Sequence, residues 1–118
     1  MAFHKDTGDL GEKMAAAYMR SKDFMILHQN WRHARWEVDI IAKKDEVLHF
    51  IEVKTRRSLN FGFPEEHVSK KKIRNLIDAS AEYLYKHPGW KRVQFVVLSI
   101  TIIKGKEVEY FFIEDVYL

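Results

Sequence analysis

Asp39, Glu52 and Lys54 are the residues of this chain whose types and spacing suit hydrolytic chemistry. In HFIEVKT (49–55) an otherwise apolar strand carries Glu52 and Lys54 in its middle. Alternate residues of an extended segment share a face, so Leu48, Phe50, Glu52 and Lys54 project together, and an apolar face turns charged part-way along. The preceding segment EVDIIAKK (37–44) carries Asp39. If Asp45 and Glu46 form a two-residue hairpin loop, Ile41 faces Phe50 and Asp39 faces Glu52. A loop of Lys44 and Asp45 would set Asp39 against Phe50 instead, leaving Glu52 a diagonal neighbour on the same face.

Two carboxylates side by side on neighbouring strands repel. One must bind its proton more tightly, or the strands must splay. A hard divalent cation such as Mg2+ or Mn2+ removes the conflict, taking carboxylate oxygens, a nearby backbone carbonyl and waters. Lys54, one step along the same face, would then orient an attacking water or steady charge on a phosphate. The plainer reading of an isolated E-x-K is a surface ion pair on an edge strand, worth little. Against it stand the hydrophobic strand, the matching acid on the segment before, and an earlier helix carrying Glu12.

The elements that must position these residues follow from periodicity. Leu10, Met14, Ala17 and Tyr18 recur at helical spacing and predict a first helix from Gly8 to about Ser21. FMILHQNWRH (24–33), EVDIIAKK (37–44) and VLHFIEVKT (47–55) read as three successive strands, the last two a hairpin. In the loop RRSLNFGFPEEHV, Gly62 and Pro64 block regular structure. Ser69 then caps a helix reaching about Lys86, with Ile73, Leu76, Ile77, Ser80 and Leu84 on its apolar face. VQFVVLSITII (93–103) is β-branched and predicts a buried strand; Gly105 turns the chain into a last one, EVEYFFI (107–113). The expected fold is α/β (α+β): a mixed sheet with flanking helices in the order α-β-β-β-α-β-β, three strands forming an antiparallel meander and the second helix a crossover. With no repeat or linker, residues 1–118 read as a single domain.

Composition narrows the classes. The chain of 118 residues is 47% hydrophobic and 14% aromatic, which suits a packed globule. With 20 Lys and Arg against 17 Asp and Glu, its formal charge of +3 permits a nucleic-acid partner without demanding one. The absence of cysteine excludes disulfides and thiolate metal sites. Histidines at 4, 28, 33, 49, 67 and 87 lack zinc spacing, and His49 is expected to point away from Glu52 as a structural residue. No phosphate loop or nucleophile elbow occurs. The polar N-terminus lacks a signal-peptide core, and MAAAYM (14–19) is too short to cross a bilayer, so a cytoplasmic protein without membrane contact is expected.

These motifs together resemble the PD-(D/E)xK nucleases of the restriction-endonuclease-like superfamily, and within it the YraN-like family related to archaeal Holliday-junction resolvases. GDLGEKMAAAYM (8–19) is similar to that family's G-x-x-G-E-x-x-A opening, and NWRHARWEVDIIA (30–42) to its N-x-R…E-[IV]-D-[LI]-[IV]-A strand. FIEVKTR (50–56) is similar to its [FV]-[VI]-E-V-K-x-R strand, and FGFPEEHVSKKKIRNL (61–76) resembles the following loop and helix start, with Lys72 at the family's lysine. The chain departs at Val38, where the superfamily has proline, at Trp36, where glycine is frequent, and at Gln94, where aspartate is.

The resemblance implies a restriction-endonuclease-like domain that hydrolyses phosphodiester bonds in DNA, with branched or flapped structures as candidate substrates. Asp39, Glu52 and the Val53 carbonyl would bind Mg2+ or Mn2+, Lys54 would act at the phosphate, and Glu12 would extend metal binding through a water. Arg56 and Arg57 leave the catalytic strand just before SKKKIRN (69–75), so Arg56, Arg57, Lys70, Lys71, Lys72 and Arg74 are expected to neutralise phosphates. Phe61 and Phe63 would wedge against bases or pack under their loop. Two other readings stay open: a catalytically quiet nucleic-acid-binding module of the same fold, and a protein-interaction domain. The final apolar strand and the FFIEDVYL tail offer a surface for a homodimer.

Overall fold

The computed structural model describes residues 2–57 and 69–114, with side chains from residue 8 onward. Phe61, Phe63, most of their loop and the last four residues of the tail lie outside the described residues. The elements are α1 (Ala2–Ser21), β1 (Met25–His33), β2 (Trp36–Lys44), β3 (Val47–Arg56), α2 (Lys70–Lys86), β4 (Val93–Thr101) and β5 (Glu109–Ile113). One five-stranded sheet runs β1-β2-β3-β4-β5 in space, antiparallel except for β3 with β4. A parallel pair needs a crossover, and α2 supplies it. The element order and mixed sheet are those read from the sequence.

Each sheet face has its own core. Ala15 and Met19 of α1 pack with Ile40, Ala42, Ile51, Val96, Leu98 and Ile100. Leu76, Ala79 and Tyr83 of α2 pack with Val38, Ile41, Leu48 and Phe50 on the opposite face. Burying a side chain of this size contributes roughly 1.5–3 kcal/mol, so β3, with residues committed to both faces, is the strand the core fixes best. His49 faces α1, edge-on to Phe24 at 4.8 Å, and its Nδ1 lies 3.1 Å from the Val47 carbonyl. It is turned away from Glu52, as the alternation required.

The first helix departs from expectation in start and in face. It begins at Ala2 rather than Gly8. Its buried side is Gly11, Ala15, Ala16 and Met19, while Leu10 is 41% exposed and Ala17 is exposed. Small residues win the interface because α1 lies close on the sheet: a Cβ at Gly11 would overlap the Thr55 side chain. In α2, Ser69 Oγ accepts the Lys72 amide at 3.1 Å, the expected cap. Its buried stripe is Ile73, Leu76, Ala79, Ser80 and Tyr83, with Ile77 and Leu84 only half-buried. The stripe is turned toward Tyr83 because that ring packs edge-on to Phe50 at 5.7 Å and its hydroxyl meets His28 Nε2 at 3.1 Å.

Candidate functional site

The β2–β3 hairpin closes on Lys44↔Val47, with Asp45 (φ 52°) and Glu46 (φ 64°) as a two-residue turn. Positive φ at both central residues gives the twist that suits a hairpin, although neither residue is glycine. From that turn the register runs Lys43↔Leu48, Ala42↔His49, Ile41↔Phe50 and Ile40↔Ile51, and there the ladder stops. Asp39 and Glu52, next in register, are not a ladder pair. Asp39 instead turns its carboxylate into the gap, where Oδ2 accepts the Val53 amide proton at 2.7 Å.

The distortion reaches β2's other neighbour. Asn30 of β1 has φ 54° in mid-strand, and pairing skips from Gln29↔Ile40 to Trp31↔Val38. Val38 and Ile41, an odd number of residues apart, both pack beneath α2. Strict alternation is therefore broken around Asp39. This break could not be read from the sequence, where Asn30 was only one letter of a motif. Its signal is the residue type: asparagine is among the few side chains that tolerate the left-handed region.

The break opens a cleft of about 280 Å³ whose lining includes Arg35, Glu37, Asp39, Glu52, Lys72 and Asn75. Burial, then the charge of Glu52, push the Asp39 carboxyl up to about 7, while the Val53 hydrogen bond opposes the rise. Both ways of relieving the acid pair that the sequence implied, a raised carboxyl and splayed strands, thus occur together. Glu52 is held at 3.2 Å by Lys72 Nζ from the first turn of α2. The sequence reading has Lys72 among the phosphate contacts, and the fold brings its ammonium to Glu52.

Glu12 approaches from α1. Burial and Asp9 raise its carboxyl, Glu37 and Glu52 add to the rise, and a hydrogen bond with the Asn30 side chain opposes it. Burial lowers the Lys54 ammonium, Lys72 and Arg56 lower it further, and Glu52 opposes them. Glu37 and Asn75 were missed as cleft residues. Glu37 stands two places before Asp39 and Asn75 three after Lys72, the spacings that share a strand face or a helix face.

Of the expected phosphate contacts, Arg57, Lys70, Lys71 and Arg74 are exposed. Arg56 is half-buried with Nε and Nη1 inaccessible. Among the described residues, no three His, Cys, Asp or Glu side chains come together as a metal cluster. The pair still fits a hard ion: its donors are oxygens, Mg2+ commonly takes one or two carboxylates and keeps several waters, and Asp39 has an excess of negative charge beside it. An extended residue sends its N–H and C=O toward the same neighbouring strand, so the Val53 carbonyl faces β2 as its amide does. No helix among the described residues is long and apolar enough to cross a membrane.

The model of the family described as "Uncharacterised protein family UPF0102" matches residues 11–100. The chain belongs to this family. A UPF0102 protein of Syntrophomonas wolfei is 41% identical over 104 residues, covering 87% of this chain and 90% of the relative. One from Flavobacterium johnsoniae is 41% identical over 104 residues, 85% of either chain. One from Christiangramia forsetii is 37% identical over 118 residues, covering 99% of this chain and 98% of its own. The YraN-like resemblance is thus met at the level of the family. The span matched to UPF0102 takes in Glu12, Asp39, Glu52, Lys54 and Lys72, and ends before β5.

Proposed function

We propose that this UPF0102 member is a metal-dependent endonuclease of the restriction-endonuclease-like PD-(D/E)xK kind, hydrolysing phosphodiester bonds in DNA, with branched or flapped structures as its first candidates. The observation that carries the reading is Asp39, driven up to about 7 by burial and by Glu52 in a cleft that breaks the sheet. An acid pair kept in a partly buried cleft at this cost is what a divalent ion would relieve.

In this reading Asp39, Glu52 and the Val53 carbonyl hold Mg2+ or Mn2+. When bound, such an ion acidifies a coordinated water and polarises a phosphoryl oxygen. Asp39 is also fixed by the Val53 amide, which limits its rotation. Lys54 donates hydrogen bonds to the attacking water or to the phosphate's developing charge. Glu12, hydrogen-bonded to the Asn30 side chain, would extend metal binding through a water. Arg57, Lys70, Lys71 and Arg74 draw in the phosphate backbone.

One observation favours a second reading, the catalytically quiet nucleic-acid-binding module. Lys72 already pairs with Glu52, which eases the acid pair without a metal. Labelled flap, fork and four-way DNA substrates incubated with Mn2+ separate the two. The nuclease reading expects cleavage that Asp39→Ala and Glu52→Ala abolish, and a rise in thermal stability on adding Mn2+ that the same changes remove. DNA binding with no response to metal and no cleavage would leave only the second.

A further inference from the structure

A second cavity, of about 480 Å³, lies at the other end of β3 on the face toward α1, and shares no lining residue with the acidic cleft. Its size is within the range of small-molecule sites. Two polar side chains from neighbouring strands line it in register: His49 of β3, 6% exposed, and Gln94 of β4. The rings of Phe24 and Phe112, 5.9 Å apart and tilted, also line it.

Cations stand around these groups. Lys44 Nζ is held at 2.7 Å by the Lys22 carbonyl and lies 5.1 Å from the centre of the Phe24 ring. Lys22 Nζ lies 5.6 Å from the Tyr18 ring, and the exposed Arg92 completes the set. Asp45 and Glu114 share the lining, so three cations meet two acids. The cavity thus offers aromatic surface for a flat ring, the Gln94 amide for its polar edge, and positive charge for an anion.

We infer that this cavity binds a nucleoside 5′-phosphate, its base against the aromatic wall that Phe24 and Phe112 form together and its phosphate on Arg92 and the lysines. Gln94 suits the base edge because a carboxamide presents a donor and an acceptor side by side. Base stacking on aromatic rings tolerates any base, so discrimination among bases rests on Gln94. The inference does not depend on the nuclease reading.

Isothermal titration of the full chain tests it, with the four deoxynucleoside monophosphates, adenosine alone and inorganic phosphate alone. Saturable binding of at least one nucleotide is expected, at least tenfold tighter than either fragment, with amide NMR shifts at His49, Gln94 and Lys44. Arg92→Ala should weaken it about tenfold, and Glu52→Gln in the other cleft should leave it unchanged. A 5′-phosphorylated dinucleotide that binds tighter than the mononucleotide assigns the site to a strand end, and one that binds more weakly to free nucleotide. The inference is overturned by no saturation with any nucleotide, by equal affinity for phosphate alone, or by unchanged affinity in both Arg92→Ala and Lys44→Ala.

Discussion

Asp39 accepts the backbone proton of Val53 at 2.7 Å across a break in the β2–β3 ladder. A side chain here does the work a main-chain carbonyl does elsewhere in the sheet. The carboxylate is thereby fixed at the place where the strands part.

That placement makes stability depend on pH. The Asp39 carboxyl is raised from 3.8 to about 7 on folding. Below the lower value it is neutral in both states. Between the two, only the folded chain keeps the proton, and keeping it favours folding. As pH rises through about 7 this contribution disappears, so stability should fall between roughly pH 4 and 8, by on the order of a few kcal/mol. Asp39→Asn should flatten the dependence and raise the midpoint of urea unfolding at pH 8.

Metal binding should follow the same carboxyl in the opposite direction. Ligand carboxylates must lose their proton, so Mn2+ affinity is expected to increase as pH rises toward and past about 7, with proton release. Calorimetry in buffers of different ionisation enthalpy measures the protons released. A pH-independent affinity would mean that Asp39 is not a ligand.

If a divalent ion binds the acid pair, Lys72 would compete with it for Glu52. The Lys72 ammonium is half exposed, so its ion pair with Glu52 contributes under about 1 kcal/mol. Lys72→Ala should leave thermal stability nearly unchanged while tightening Mn2+ binding several-fold.

Asn30 can be tested against its backbone. With φ 54° it should accept glycine at little backbone cost, and Asn30→Val should be more damaging, by at least about 1 kcal/mol. Asn30→Gly also removes the hydrogen bond to Glu12. Its expected signature is a folded chain with a further-raised Glu12 titration, read by carboxyl NMR.

If DNA is the partner, Arg57, Lys70, Lys71 and Arg74 carry its phosphates. Each alanine substitution should then reduce the slope of log affinity against log salt by about 0.9 for duplex DNA. Fluorescence anisotropy across a salt series measures it, and Arg56→Ala, with its guanidinium partly buried, should change the slope less.

The strand order, the hairpin and the α2 cap were legible because alternation and an N-capping serine act locally, while the hairpin register stayed open between two loop placements until the structure fixed Lys44↔Val47. Asp39 and Glu52 could be brought to one place from the same alternation. What escaped depends on contacts distant in sequence. The face of α1 is set by Gly11 meeting Thr55, so small residues outweighed the larger apolar ones in the periodic pattern. Lys72 reaches Glu52 only because α2 is laid over β3 by the crossover, which a charge run at a helix start does not reveal. The kink at Asn30 is a backbone state, and composition carries only a weak trace of it.

β3 is the middle strand of five, and up to Ile51 it is joined on both sides and sealed above and below. Its interior amides should exchange with deuterated solvent only when the entire molecule opens. Glu52 and Val53 therefore stand at the margin of the locked stretch, where the β2–β3 ladder has already ended. Any motion at this cleft would come from β2 or from the helix that carries Lys72, the parts able to move while β3 up to Ile51 stays shut.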